Sequence, residues 1–244
     1  PNLGISDADT AALKGKIDHF FHLAALYDMQ AEDELNTKIN VDGTGHTIEF
    51  ANAIEPGVFH HVSSIAIAGD YDGTFREDYF DQGQDLPSAY HKTKFLSEKL
   101  VRELVVSPWR VYRPGVVVGD SRTGEIDKVD GPYYFFKAIQ KVRDKLPAWV
   151  PLAAPELGDT NIVPVNYVAD ALDHIAHEPE LDQRAFHLVS PTPQRSTEVI
   201  NIFAKAAHAP QIRLRVEPTL LKALPKGPIM MLSKLPAFKG VRRA

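Results

Sequence analysis

The sequence predicts an α/β fold built on a parallel sheet. Three observations carry this. Short apolar runs alternate with amphipathic stretches along the chain. Several apolar runs end in small residues or glycine, as strands do when they feed a loop. No internal repeat or low-complexity linker interrupts the alternation, and strand–helix alternation of this kind builds parallel sheets.

The elements follow in order. Residues 17–25 (IDHFFHLAA) read as a buried strand running into a loop, and residues 31–54 as a helical stretch with Ile39, Thr47, Ile48 and Ala51 at helical spacing. Residues 57–69 (GVFHHVSSIAIAG) read as a second strand with its loop. After a polar stretch to Pro87, residues 88–104 read as an amphipathic helix with Tyr90 and Lys94 four apart on one face. Residues 109–119 (WRVYRPGVVVG) form a third strand, stopped at Pro114 and Gly115. Residues 127–147 start as a turn and become a helix. A short strand at 161–165 leads to a helix at 166–177, for which Asn166 is the expected N-cap. A strand at 185–190, a helix from Ser196 to His208 and a half-exposed strand at 211–216 complete the order.

Composition narrows the function. The chain has 244 residues, 44% of them hydrophobic, with a net charge of −5 that gives no reason to expect nucleic acid. It has no cysteine, so disulfides, cysteine nucleophiles and thiolate metal sites are excluded. No apolar run approaches the roughly 18 residues that span a bilayer, and residues 1–16 lack a signal peptide's apolar core. A cytoplasmic protein is expected. The ten histidines do not suggest a metal. His60 and His61 point to opposite faces of a strand, and His174 and His177 lack a supporting acidic ligand pattern.

The chemistry concentrates on Ser64, Tyr90 and Lys94. A tyrosine hydroxyl has an ordinary pKa near ~10, and a lysine ammonium one turn away favours the phenolate. Such a pair passes a proton to or from a substrate oxygen. Ser64, at the end of a strand, donates a hydrogen bond to the same oxygen as charge develops there. Y-x-x-x-K alone is a common chance pattern. Its context is V-S-S-x-x-x-x-G at 62–69, with Tyr90 opening a helix 26 residues after Ser64.

The ordered set H-L-A-A (22–25), N-V-D-G-T (40–44), V-S-S-I-A-I-A-G (62–69), Y-H-K-T-K (90–94) and Y-R-P-G-V-V-V-G (112–119) resembles the extended short-chain dehydrogenase/reductase family. The resemblance implies a Rossmann-type doubly wound parallel sheet with a small C-terminal substrate-binding subdomain. It assigns 1–120 to the nucleotide-binding core, 121–160 to a substrate-region insertion, 161–190 to a return to the core and 191–244 to the substrate subdomain. It implies catalytic roles for Ser64, Tyr90 and Lys94. Cofactor contacts are implied at Ala24, Ala25, Val62, Ser63, Tyr90, Lys94, Pro114, Gly115 and Val117, with Asn40 mainly structural.

F-R-E-D (75–78), D-K-V-D-G-P-Y-Y-F-F-K (127–137), N-I-V-P-V (161–165) and A-L-D-H-I-A-H (171–177) are similar to the bacterial fatty acyl-CoA reductases. That similarity implies NADPH and reduction of long-chain acyl-CoA to fatty aldehyde, often onward to alcohol. The small-molecule partner implied is acyl-CoA. Other extended-family enzymes, acting on hydroxysteroids or sugar nucleotides, and a non-catalytic nucleotide-binding module are the alternatives.

No G-x-x-G-x-x-G or G-x-G-x-x-G occurs, although the resembling family grips the pyrophosphate with one on its first strand–helix turn. The chain begins at Pro1, and the motifs favour a fragment preceded by two βαβ-type units, roughly 60 residues at ~30 per unit. The first sheet strands are then missing, and residues 17–25 are expected at an unpaired edge. Residues that select a 2′-phosphate belong to the missing part, so NADP rests on the resemblance and NAD is the alternative. Arg113 is a candidate phosphate contact or an ion-pair residue. Tyr133, Tyr134, Phe135 and Phe136 line an acyl pocket or belong to the core. Residues 218–244, basic and apolar without an acidic residue, are a membrane-surface segment or a helix closing the substrate subdomain.

Overall fold

The structure is a computed structural model that describes residues 2–27, 33–127, 131–155 and 157–216. The chain divides into two compact units. One holds Pro1–Arg122 and Val163–Ser190, the other Thr123–Ile162 and the described residues from Pro191 onward.

The first unit is a parallel sheet with helices on both faces. Helix α1 (Asp7–Leu13) is capped by Ser6, whose hydroxyl accepts from the Asp9 amide. Strand β1 (His19–His22) follows. Helix α2 (Asp33–Thr37), a π turn (Lys38–Asp42) and α3 (Gly43–Ile54) return the chain to β2 (Val58–Val62). A 3-10 turn at Ile65–Ala68 and a long loop precede α4 (Ala89–Leu104), which leads to β3 (Trp109–Pro114). A short β4 (Val116–Val118) comes next.

The sheet order is β1-β2-β3-β8, where β8 is Arg184–Leu188. Every pairing is parallel, so the carboxyl ends of the strands share one edge. Helices α3 and α4 cover one face through Ile48, Ala51, Val101, Phe59, Trp109 and Val111. Helix α6 (Val165–His177) covers the other, where Val168, Ala171 and Ile175 pack on Tyr112, Phe186 and Leu188. Among the described residues β1 is an edge strand, with Phe21 and Leu23 exposed.

Strand β7 (Ile162–Pro164) pairs with β4 in a two-stranded sheet of its own. One local expectation is corrected. Asn166 does not cap α6, which starts one residue earlier after an extended Pro164. Its side chain instead brackets Ser121, accepting from the Ser121 amide at 2.9 Å and donating to its hydroxyl at 3.1 Å. A local cap is displaced here by a long-range partner that sequence spacing does not show.

The second unit begins with a 3-10 turn at Gly131–Tyr134 and α5 (Phe135–Arg143). Strand β5 (Leu152–Ala154) pairs in parallel with β10 (Ile212–Arg215), and β6 (Asp159–Thr160) pairs antiparallel with β9 (Gln194–Arg195). Helix α7 (Ser196–Ala206) packs on α5 through Ile139, Ala204, Phe135 and Phe203. Tyr133 and Phe136 both pack on Phe203 and Phe135 packs on the Ile139–Ala204 cluster, while Tyr134 and Phe136 remain exposed. Phe136 also lines an open groove with Ile139, Phe203, Ala206 and Ala207. Residues 128–130 of the D-K-V-D-G-P stretch and all of 218–244 lie outside the described residues. Among the described residues no helix is long and apolar enough to cross a membrane.

Candidate active site at the carboxyl edge of the sheet

Parallel strands bring three loops to one edge, the place where open α/β sheets bind ligands. The β1 loop carries Ala24 and Ala25, both exposed. The end of β2 carries Val62, Ser63 and Ser64. The end of β3 carries Pro114 and Gly115, and Val117 follows on β4.

Ser64 closes β2 in an extended conformation and caps the next turn, its hydroxyl accepting from the Ala66 amide at 3.1 Å. Gly69 ends that turn at φ +51°, and an added Cβ would sit 2.0 Å from the Asp85 carbonyl oxygen. Only glycine permits this approach, which draws the loop before α4 against the turn after Ser64. Ser88 then caps α4, accepting from the His91 amide. The cap sets the helix start so that Tyr90 lies in its first turn and Lys94 in its second.

The Ser64 hydroxyl lies close enough to the Tyr90 hydroxyl to act on it. The Tyr27 ring stands edge-on to Tyr90 with centroids 5.0 Å apart. The expected lowering of the Tyr90 hydroxyl by Lys94 is not found. Burial dominates and pushes it up to about 12, the Ser64 hydroxyl pulls it back in part, and Tyr27 adds to the rise. The Lys94 ammonium is directed elsewhere: Nζ donates to the Val62 carbonyl at 2.7 Å. Burial lowers Lys94 to about 8, and Glu98 opposes the shift.

Asn40 joins the parts. It accepts from the Leu26 amide at 2.7 Å, donates to the Leu26 carbonyl at 3.1 Å and donates to the Thr93 hydroxyl at 3.2 Å. One buried side chain thereby fixes the β1 loop and the neighbour of Lys94. Beneath Lys94, His22 bonds Thr44 and lies beside His61. Burial lowers His22 to about 4, helped by the Lys94 charge, and holds His61 well below the ordinary histidine range. Both are neutral at pH 7. His61 is buried with neither ring nitrogen partnered among the described residues. His60, on the opposite sheet face, bonds His19 and the Tyr112 hydroxyl instead.

Arg113 is not a phosphate contact. It is fully buried, donates to Glu98 at 2.6 and 3.2 Å, and donates to the carbonyls of Glu77 and Tyr79. Glu98 was not singled out from the sequence. Its signal was present, since Glu98 extends Y-x-x-x-K by one further turn on the same helix face.

The residues present fit the nicotinamide–ribose end of a dinucleotide. Lys94 and Tyr90 offer donors suited to a ribose diol, an ammonium having three and only one directed at Val62. Small residues (Ala24, Ala25, Gly115) leave room beside them. The glycine-rich pyrophosphate loop is absent from the 244 residues.

The family model for NAD-binding "Male sterility protein" domains matches residues 1–172. The chain is 26% identical over 209 residues to the nonribosomal peptide synthetase asaC of Aspergillus flavus, covering 80% of this chain and 20% of that protein. It is 27% identical over 208 residues to the aldehyde reductase lnbA of Aspergillus flavus, covering 81% and 20%. The chain thus spans about a fifth of the length of these curated relatives. Its structure is similar to the terminal R domain from the myxalamid PKS-NRPS biosynthetic pathway, with a TM-score of 0.73 and 25% identity, covering all of this chain and 61% of that one. The Ser64–Tyr90–Lys94 centre on a parallel α/β sheet agrees with the family match over most of the chain, which belongs to the NAD-binding Male sterility protein family, within the extended short-chain dehydrogenases/reductases.

Proposed function

We propose that the protein is an NAD(P)H-dependent reductase of acyl thioesters, producing an aldehyde and a free thiol. The observation that carries this is the placement of Ser64, at the end of β2 on the carboxyl edge of the sheet, beside Tyr90 in the first turn of α4, with Lys94 one turn along the same helix. A tyrosine held near 12 keeps its proton at neutral pH, which suits an acid in a reduction. Similarity to an aldehyde reductase and to a terminal R domain supports a carbonyl-level reaction.

When bound, the reduced nicotinamide supplies a hydride. Ser64 and Tyr90 hold the thioester carbonyl oxygen by hydrogen bonds that strengthen as negative charge gathers on it. Tyr90 gives that oxygen its proton, leaving a hemithioacetal. The carbon–sulfur bond then breaks as the hydroxyl proton returns to Tyr90, the departing thiolate takes a proton from solvent, and aldehyde and thiol result. Lys94 and Tyr90 would hold the ribose, with Ala24, Ala25, Val62, Ser63, Pro114, Gly115 and Val117 around the nicotinamide end. NADPH is the proposed donor and long-chain fatty acyl-CoA the proposed substrate, on the similarity of residues 75–78, 127–137, 161–165 and 171–177 to fatty acyl-CoA reductases.

The test is oxidation of NADPH by the full-length protein with long-chain acyl-CoA, run beside NADH and beside fatty aldehyde. Acyl-CoA-dependent oxidation with release of thiol is expected. Oxidation with aldehyde alone would replace the thioester by the aldehyde as substrate. No oxidation with either would sink the reading.

A further inference from the structure

Glu98 lies one turn beyond Lys94 on α4 and is fully buried. Its Oε1 accepts from Arg113 Nη2 at 2.6 Å and from Arg102 Nε and Nη2 at 2.9 and 2.8 Å, and its Oε2 accepts from Arg113 Nε at 3.2 Å. Arg113 uses its other contacts on the carbonyls of Glu77 and Tyr79 and on His187 Nε2 at 3.2 Å. Glu77 in turn accepts from the His187 amide at 2.7 Å. The carboxylate is therefore fixed from β3, from β8 and from the segment that precedes α4.

A buried ion pair is a costly way to fill space, and well-packed apolar residues often serve as well or better. What this one adds is a negative charge at a set position. Lys94 is buried, with its ammonium on the Val62 carbonyl. The other titratable groups facing it are His22 from β1, His61 from β2 and Tyr90 on its own helix. At neutral pH none of the three carries a negative charge, because burial keeps both histidines and the phenol neutral. Among the described residues Glu98 is the carboxylate that acts on Lys94.

We propose that Glu98 is a positioning residue for the Tyr90–Lys94 pair: locked by Arg113 and Arg102, it keeps the buried Lys94 ammonium charged and seated on the Val62 carbonyl. Two guanidinium groups keep the Glu98 carboxyl ionised despite its burial. The effect on turnover rests on the reductase reading above. The effect on Lys94 does not.

The experiment follows the Lys94 side chain directly, by NMR of the full-length protein labelled at lysine, with Lys94→Arg used to assign the signal. Wild type is expected to titrate near 8. Glu98→Gln is expected to lower that midpoint by roughly one to three units, the effect of removing a nearby opposite charge. Glu98→Asp is expected to restore most of it, and the alkaline limb of kcat is expected to move with the Lys94 midpoint. If Glu98→Gln does not fold, the double variant E98L/R113M, which replaces the ion pair by apolar residues, takes the same measurement, with a smaller downward shift expected because the Arg113 charge is lost with the carboxylate. An unchanged Lys94 midpoint in whichever of these variants folds overturns the proposal. A shifted midpoint in a protein that reduces no thioester supports the Glu98–Lys94 relation and rejects the reductase reading.

Discussion

Asn40 brackets Leu26: its carbonyl oxygen accepts from the Leu26 amide and its amide donates to the Leu26 carbonyl. The arrangement copies a strand-like backbone pair with a single side chain, and the third bond, to Thr93, ties it to α4. Replacement by alanine leaves the Leu26 groups and the Thr93 hydroxyl without these partners. At about 1 kcal/mol or more for each bond lost in a buried setting, Asn40→Ala is expected to cost roughly 2–4 kcal/mol. Denaturant unfolding measures it. A loss under about 1 kcal/mol would show that the loop is held by other contacts.

Tyr90→Phe removes the proposed acid and keeps the ring that meets Tyr27. Turnover is expected to fall by about 10²–10⁴ with little change in stability. Steady-state kinetics beside a thermal melt separates the two effects, and undiminished turnover would remove Tyr90 from the chemistry.

Ser64→Ala is expected to act on both. The loss of an oxyanion donor should lower kcat by about 10²–10³. The loss of the cap on Ala66 should cost about 1 kcal/mol of stability.

Gly69→Ala is expected to destabilise the protein by about 3 kcal/mol, because the methyl group meets the Asp85 carbonyl and the residue is held at positive φ. Unfolding midpoints check this. A near-neutral result would mean that the loop before α4 relaxes freely.

Stability should fall as pH drops below the ordinary histidine value. His22 is lowered to about 4, His60 to about 3 and His61 well below the ordinary histidine range, in each case first by burial. The unfolded chain takes up protons near 6.5 that the folded chain refuses until about 4. Unfolding is therefore favoured increasingly between those values. Each site contributes a slope approaching ~1.4 kcal/mol per pH unit. His61→Leu should flatten the slope between pH 6 and 5 by about one site's share, read from urea midpoints. An unchanged slope would show that His61 accepts a proton in the folded state.

The strand–helix alternation and the places of Ser64, Tyr90 and Lys94 were legible in the sequence, because each depends on local periodicity and on order along the chain. Among the described residues β1 stands at the sheet edge, as expected for residues 17–25. Asn40 was legible as structural through its motif, though not through its partners. What only the tertiary structure decided was pairing at a distance and the balance of desolvation. Asn166 met Ser121, 45 residues away, in place of capping its own helix. Arg113 met Glu98 across 15 residues, closing a buried ion pair where a phosphate contact was an open alternative. The rise of the Tyr90 hydroxyl, against an expected fall, follows from burial, which is a sum over neighbours from several elements. Spacing fixes which groups share a helix face, but the dielectric around them is set by everything that packs on that face.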